Sequence, residues 1–155
     1  DPPPLLLKIA PDLSPQERDD LAQAALASQV DGLIVSNTTV ARPDTLRSPN
    51  AHEPGGLSGP PLFVPSTQLI ADMARLTGGR IPIIGVGGIA SGADAYAKIR
   101  AGASLVQLYT ALTFEGAGLV TRIKSELDAL LARDGFANVG DAVGKALPRQ
   151  TEPLK

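Results

Sequence analysis

Glycines and hydroxyl groups at the ends of two apolar segments are the residues best suited to chemistry in this sequence. Gly87 and Gly88 close one segment, and Tyr109 and Thr110 close the next. Glycine lets backbone N–H groups approach a ligand closely, and the last two strand ends of a (β/α)8 barrel commonly bind phosphate. The helix expected from Ser91 would point its N-terminus at the same place. These residues predict a phosphate site built largely of backbone; the alternative is a pair of tight turns that bind nothing.

Polar side chains near the ends of two other apolar segments form a second candidate group. Lys8 is either a cation set against an anionic ligand or cofactor, or a strand-end lysine whose charge reaches solvent. Asn37 offers one acceptor and two donors in a plane, which suits a heterocycle, and Ser36 and Thr38 flank it. The alternative for these three residues is a hydrogen-bonded turn that ends the strand. The residue types alone leave both alternatives open.

Other candidates carry little weight by themselves. Gly59 ends a glycine-rich stretch of the long segment 38–65, a signal typical of any surface loop. His52, the only histidine, is expected to be solvated, since no oriented partner for it can be found. The acidic residues near the first helix are expected to form its solvated start rather than a metal site; they are Asp12, Glu17, Asp19 and Asp20.

Four apolar segments that do not alternate with polar residues predict parallel strands buried on both faces, over residues 5–9, 32–36, 81–86 and 105–109. A helical pattern follows each strand. The first pattern begins with Ser14, Pro15 and Glu17, the signature of a capped helix. The later helices are expected over 67–76, over 91–101, and from Leu119 to just before Gly135.

This α/β order fits either a small doubly wound sheet or half of a (β/α)8 TIM barrel. The long loop after the second strand leaves from a carboxyl end, the active face of a barrel, and therefore favours the barrel. We expect one segment, residues 1–155, to form the C-terminal half of a barrel, strands five to eight, with 136–155 as a weakly structured tail.

Composition excludes several classes of function. The chain has 155 residues, 43% of them apolar and 19% charged, which is typical of a globular domain. A net charge of −2 and an aromatic content of only 3% argue against a nucleic-acid partner. The absence of cysteine excludes disulfides and thiolate chemistry in this sequence, and its apolar stretches are too short to span a bilayer.

Five segments carry a family resemblance: KIAPDL at 8–13, DGLIVSNTT at 31–39, GGLSG at 55–59, PIIGVGG at 82–88 and IRAGASLVQLYTAL at 99–112. In this order they resemble the C-terminal barrel half of the dihydroorotate dehydrogenase family. The likeness extends over about residues 5–135, and the ending of the last segment favours the quinone-dependent class 2 over the soluble class 1.

The resemblance implies FMN-dependent oxidation of dihydroorotate to orotate in de novo pyrimidine (UMP) biosynthesis, with the electrons passed to a quinone. It places Lys8 beside the flavin ring, and Asn37 and Thr38 against orotate. The cofactor-binding residues that it implies are Lys8, Ser36, Gly59, Gly87, Gly88, Tyr109 and Thr110.

The resemblance also implies that essential parts lie in the N-terminal half of the barrel, before Lys8. They include the serine that acts as catalytic base, further substrate asparagines, and the helices that meet quinone and membrane. No catalytic residue and no metal ligand is therefore predicted in this chain, which is expected to be inactive without that half. The complete enzyme would be a peripheral membrane protein of the bacterial inner membrane, on its cytoplasmic side, or of the mitochondrial inner membrane.

Two alternatives remain open on the sequence. One is a barrel half of a non-flavin isomerase or lyase that binds a phosphorylated substrate, which gives no role to Lys8 and Asn37. The other is a non-catalytic assembly module whose glycines serve turns only. In every case an open half barrel would expose its edge strands near Leu5 and Leu105, so a stable monomer is not expected.

Overall fold

The structure, a computed structural model that describes residues 2–148, contains one sheet of four parallel strands. The strands lie side by side in chain order, without the reversal that defines a doubly wound sheet. This order confirms the prediction that the chain forms part of a (β/α)8 barrel rather than a doubly wound sheet. The strands are β1 (Leu6–Ile9), β2 (Gly32–Val35), β3 (Ile83–Val86) and β4 (Leu105–Gln107).

Helices cover one face of the sheet. Leu33, Val35 and Ile83 point to this face and are fully buried with Ile70 and Met73 of the second helix. The helices are α1 (Pro15–Ser28), α2 (Phe63–Leu76), α3 (Gly92–Arg100), α4 (Thr110–Glu115), α5 (Gly118–Arg133) and α6 (Val139–Ala142), with a 3-10 turn at Pro60–Leu62 before α2.

The capping signals set α1 as predicted. Ser14 Oγ accepts from the Glu17 amide, the Glu17 carboxylate accepts from the Ser14 amide at 2.7 Å, and Pro15 occupies the first turn. The helix α2 begins at Phe63, four residues before the expected start. Pro65 lies in its first turn, where proline is tolerated because the N–H groups of a first turn have no hydrogen-bond acceptor within the helix. No sequence pattern predicted α4, because its six residues are too few to show an apolar period.

The opposite face of the sheet is open, and the expectation that every strand is buried on both faces is wrong for β1 and β4. Ile34 and Ile84, in the two central strands, are half-buried on this face. Leu6 is 40% exposed and Leu105, on the outer strand, 63%. Among residues 2–148 nothing packs over this surface, which in a closed barrel is the interior.

The predicted tail includes the short helix α6. Ala142 in it is fully buried beside Tyr96 and Ile99 of α3, and Leu147 packs against the main core. Residues 149–155 of that tail lie outside the described residues. Within the described part of the chain, no helix is both long and apolar enough to cross a membrane.

Candidate functional site

A cleft of about 520 Å³ opens at the carboxyl ends of the four strands. Cofactor sites commonly occupy about 300–1,000 Å³, and in barrel proteins they lie at this end. Strand ends and the loop after β2 contribute its walls. The cleft brings together all nine predicted site residues: Lys8, Ser36, Asn37, Thr38, Gly59, Gly87, Gly88, Tyr109 and Thr110.

The end of β2 is fixed by backbone bonds to both neighbouring strands. The Asn37 amide donates to Ile9 O of β1 at 2.8 Å, and the Ser36 amide donates to Val86 O of β3 at 3.3 Å. Ser36 is 1% exposed, its hydroxyl donates to Asn37 O at 2.9 Å, and its peptide bond to Val35 is cis. The backbone at Ser36 and Asn37 is therefore held in place by the sheet itself.

Asn37 and Lys8 present accessible polar groups to the cleft. Both side chains are exposed, and Lys8 is in register with Ile34 of β2. The Oδ1 atom of Asn37 accepts from the Thr38 amide at 2.9 Å, which is the local turn that the residue types allowed. The Asn37 side-chain nitrogen makes no hydrogen bond to the described residues, so a ligand can use its two N–H groups.

The glycine turn after β3 packs tightly against the start of α2. Gly87 and Gly88 have φ values of +115° and +71°, which L side chains rarely adopt. A Cβ atom on Gly88 would lie 2.7 Å from Phe63 Cα, and one on Gly87 would lie 2.9 Å from Leu62 Cγ. Glycine is therefore required here by packing as well as by backbone conformation, and the turn leaves its backbone exposed on the cleft side.

The long loop after β2 is joined to the end of β4. Gly59 has a φ of +81°. A Cβ atom added to it would lie 3.2 Å from Thr110 Cγ2, which is a tight contact. The Thr110 hydroxyl donates to Ser58 Oγ at 2.9 Å. Farther out in the loop, Arg42 donates to Glu53 O at 2.9 Å and to Gly55 O at 2.7 Å, which fixes the glycine-rich stretch without regular secondary structure.

The α3 N-terminus offers fewer free amides than expected. Two of its first-turn amides are already bonded within the chain: Gly92 N donates to Glu126 Oε2 at 2.6 Å, and Asp94 N donates to Ser91 Oγ at 3.1 Å. Ala90 N donates to Asp94 Oδ2 at 3.0 Å. Two carboxylates thus lie at the positive end of α3, which favours the preceding glycine turn as the contact for an anion in the cleft.

The carboxylate of Asp12, which was expected only to be solvated, makes hydrogen bonds within the chain. It accepts from the Val40 amide at 2.9 Å and from the Thr39 hydroxyl, so it ties the loop after β1 to the loop after β2. His52 is exposed and lies outside the cleft. Residues 2–148 contain no cluster of three histidine, cysteine or acidic side chains suited to a metal ion.

Sequence reasoning missed several residues of the cleft wall. Phe114 and Glu115 belong to α4, the helix that had no sequence signal, and Glu115 forms an ion pair with Arg122 of α5. Arg122 also approaches Ala90 O at 3.4 Å. Tyr109, which was predicted, is 82% exposed at the cleft mouth.

The strand order and the cleft define a sector of a (β/α)8 barrel with an open cleft at the carboxyl ends of its strands. The family model for dihydroorotate dehydrogenase matches residues 1–131. The chain belongs to the dihydroorotate dehydrogenase family.

Named relatives and solved structures agree with this assignment. A dihydroorotate dehydrogenase (quinone) of Parvibaculum lavamentivorans is 64% identical over 141 residues, 91% of this chain and 40% of that protein. The mitochondrial dihydroorotate dehydrogenase (quinone) of Arabidopsis thaliana is 58% identical, over 92% of this chain and 31% of its own length. These names bear out the resemblance to the quinone-dependent class.

A crystal structure of the Eimeria tenella enzyme in complex with ferulenol superposes with a TM-score of 0.90 at 50% identity. The match covers 92% of this chain and 38% of that one. The chain thus spans about two fifths of the length of the bacterial relatives and of this structure.

Proposed function

We propose that this chain supplies the cofactor-binding half of an FMN-dependent dihydroorotate dehydrogenase. The complete enzyme would oxidise dihydroorotate to orotate in de novo pyrimidine (UMP) biosynthesis and pass the electrons to a quinone. The observation that carries this proposal is the single cleft that unites nine residues from five separated segments of the sequence. The family membership of the chain supports the same reaction.

The residues present fit FMN in their chemistry. The cleft has the size of a cofactor site, a glycine backbone on one wall, and the exposed lysine Lys8 on another. Gly87, Gly88 and Thr110 would bind the phosphate, with Tyr109 closing over it, while Ser36 and Gly59 would contact the flavin. When bound, FMN would accept a hydride equivalent from dihydroorotate.

Lys8 would stabilise the negative charge that develops beside it during the reaction. Its side chain extends from β1, next to Ile34 of the neighbouring strand, and is free to reach into the cleft. A fixed cation near a flavin favours electron uptake by the ring, since protein charges tune cofactor electronics. A neutral residue at position 8 should leave binding largely intact and slow reduction.

Asn37 and Thr38 would orient the substrate. The N–H groups of the Asn37 amide can donate to the carbonyl and carboxylate oxygens of orotate. Thr38 is held by the loop that follows, because a Cβ on Gly56 would collide with its side chain. The adjacent pairing of Thr39 with Leu57, with N–O distances of 3.1 and 2.8 Å, holds this loop against the end of β2.

Proton removal from dihydroorotate and contact with quinone would fall to the N-terminal half of the barrel, which we propose as the partner of this chain. That half would also hold the complete enzyme at the bacterial inner membrane or the mitochondrial inner membrane. This chain alone should not turn over substrate, since it offers no residue predicted to act as the base.

The first experiment is a visible absorption spectrum of the purified chain, alone and co-expressed with the N-terminal part of the Parvibaculum lavamentivorans relative. We expect the co-expressed pair to retain FMN and to lose its flavin absorbance when dihydroorotate is added without oxygen. The isolated chain should not bleach. A pair that forms but holds no FMN, or holds FMN that dihydroorotate cannot reduce, contradicts the proposal.

A further inference from the structure

Lys98 is a lysine of α3 that is 0% exposed. Its Nζ donates to Ser66 Oγ at 2.7 Å and to Thr67 Oγ1 at 2.9 Å, and it lies 5.0 Å from the centroid of the Phe63 ring. All three neighbours belong to the start of α2. The ammonium group therefore joins α3 to α2 directly behind the wall of the cleft.

A buried ammonium is unfavourable unless an opposite charge or hydrogen bonds offset its lost hydration. No ion pair of Lys98 with a carboxylate occurs among the described residues. Asp94, one turn earlier on α3, is the acid that acts on it, and that carboxylate already accepts from Ala90 N and Ser91 Oγ. Burial lowers the pKa of Lys98 to about 8, against the weaker opposing effect of Asp94.

Ser66 and Phe63 connect this ammonium to the glycine turn. Ser66 Oγ accepts from Lys98 and lies 2.7 Å from Leu62 O and 3.4 Å from Gly87 O. Phe63 packs against Gly88 so closely that a Cβ on the glycine would lie 2.6 Å from Phe63 Cβ. Leu62, Gly87 and Gly88 all line the cleft, so a single layer of residues separates the charge from it.

We propose that Lys98 is a positioning residue for the phosphate group in this cleft. Through Ser66 it fixes the Gly87–Gly88 turn against α2, and from behind the turn its charge attracts a dianionic group. A charge in a poorly hydrated interior acts over longer distances than one in water, and no carboxylate neutralises this one within the described chain. The inference rests on the proposed FMN site, and the phosphate of the cofactor would be the missing opposite charge.

The test compares FMN with riboflavin, which lacks the phosphate, on whichever preparation of the full chain retains flavin. Lys98→Met should lower the preference for FMN about tenfold while leaving riboflavin affinity nearly unchanged, because only the phosphate feels the lost charge. Lys124→Met, at an exposed lysine of α5, is the matched control and should keep the full preference. Equilibrium dialysis or flavin fluorescence measures both affinities.

A pH series on the unchanged chain tests the same point without a substitution. The FMN phosphate is already dianionic above pH 7. The ratio of FMN to riboflavin affinity should therefore fall as the pH rises beyond about 8 and Lys98 loses its proton. The ratio measured for Lys98→Met should be flat over the same range.

The outcomes separate this inference from the function on which it rests. Equal loss of FMN and riboflavin affinity in Lys98→Met, or a flat ratio in the unchanged chain, would mean a purely structural lysine and would overturn the inference alone. A chain that binds FMN no more tightly than riboflavin has no phosphate site, which overturns the proposed use of the glycine turn together with the inference. A selective loss that the Lys124→Met control does not share supports the inference.

Discussion

At the scale of single residues, the glycines of the cleft combine a conformational and a packing requirement. The sequence predicted Gly87 and Gly88 as ligand-approaching backbone, with tight turns as the alternative. In the structure these glycines do form a tight turn. One side of the turn packs against Phe63 and Leu62, and the other side is open to the cleft. The two interpretations are therefore compatible, because different sides of the same backbone serve them.

We predict that Gly88→Ala destabilises the chain by about 2–5 kcal/mol. A positive φ costs an alanine about 1–2 kcal/mol, and the collision with the Phe63 backbone adds an overpacking cost of about 1–3 kcal/mol. Gly135→Ala is the matched control, because its φ of +78° carries the conformational cost while no atom lies within 4 Å of the added carbon. Urea unfolding of both variants measures the difference, and equal losses would refute the packing argument.

Lys98 shows why residue type alone could not predict this part of the site. A lysine within a helical pattern is normally expected on the solvated face. Here α3 turns Lys98 toward α2, where Ser66 and Thr67 supply its hydrogen bonds. Those partners lie more than thirty positions away in the sequence, so only the packing of two helices reveals the arrangement.

At the scale of elements, a polar contact at the end of α5 holds α3 in place. The Tyr96 hydroxyl of α3 donates to Asp134 Oδ2 at 2.6 Å, and Arg133 donates to the other oxygen of that carboxylate at 2.7 Å. Hydrogen bonds from Arg133 and Tyr96 lower the pKa of Asp134 to about 2. Because α3 carries Lys98, this contact also fixes one wall of the candidate site indirectly.

We predict that Asp134→Asn lowers the melting temperature at neutral pH and weakens the acid sensitivity of the fold. A carboxyl whose pKa is depressed in the folded state stabilises the fold above its unfolded pKa of about 3.8, and this contribution is lost as the pH falls toward about 2. Melting curves between pH 7 and pH 2 measure the effect. The control is Asp128→Asn, at an exposed position of the same helix. Parallel curves for Asp134→Asn and the unchanged chain would contradict this role.

The sequence predicted regular elements better than the connections between them. The four strands and α1 follow from apolar runs and the Ser14 capping box, which are local signals. The helix α4 begins at Thr110, which contacts Gly59 of the distant loop, and α2 begins at Phe63, which packs against Gly88. The carboxylates that cap α3 include Glu126, which comes from another helix. Contacts between distant segments leave no period in the sequence.

At the scale of the whole molecule, the open face of the sheet decides how the chain behaves by itself. Leu5 and Leu105 are 66% and 63% exposed at or beside the two edge strands. Unpaired strand edges with apolar side chains promote association with another sheet. A closed barrel would cover both edges and this face, which is why the proposed activity requires a second half.

We predict that the isolated chain does not persist as a dilute monomer and instead associates with itself, aggregates, or captures the missing half. Light scattering of the isolated chain should therefore report a mass above 15.9 kDa. Leu105→Lys should reduce self-association, since a charge at an open strand edge opposes pairing. Val120→Lys, on the outer surface of α5 at 43% exposure, is the control and should change nothing. A monodisperse 15.9 kDa species of the unchanged chain would mean that these edges are tolerated in water, and the need for a partner half would then rest on catalysis alone.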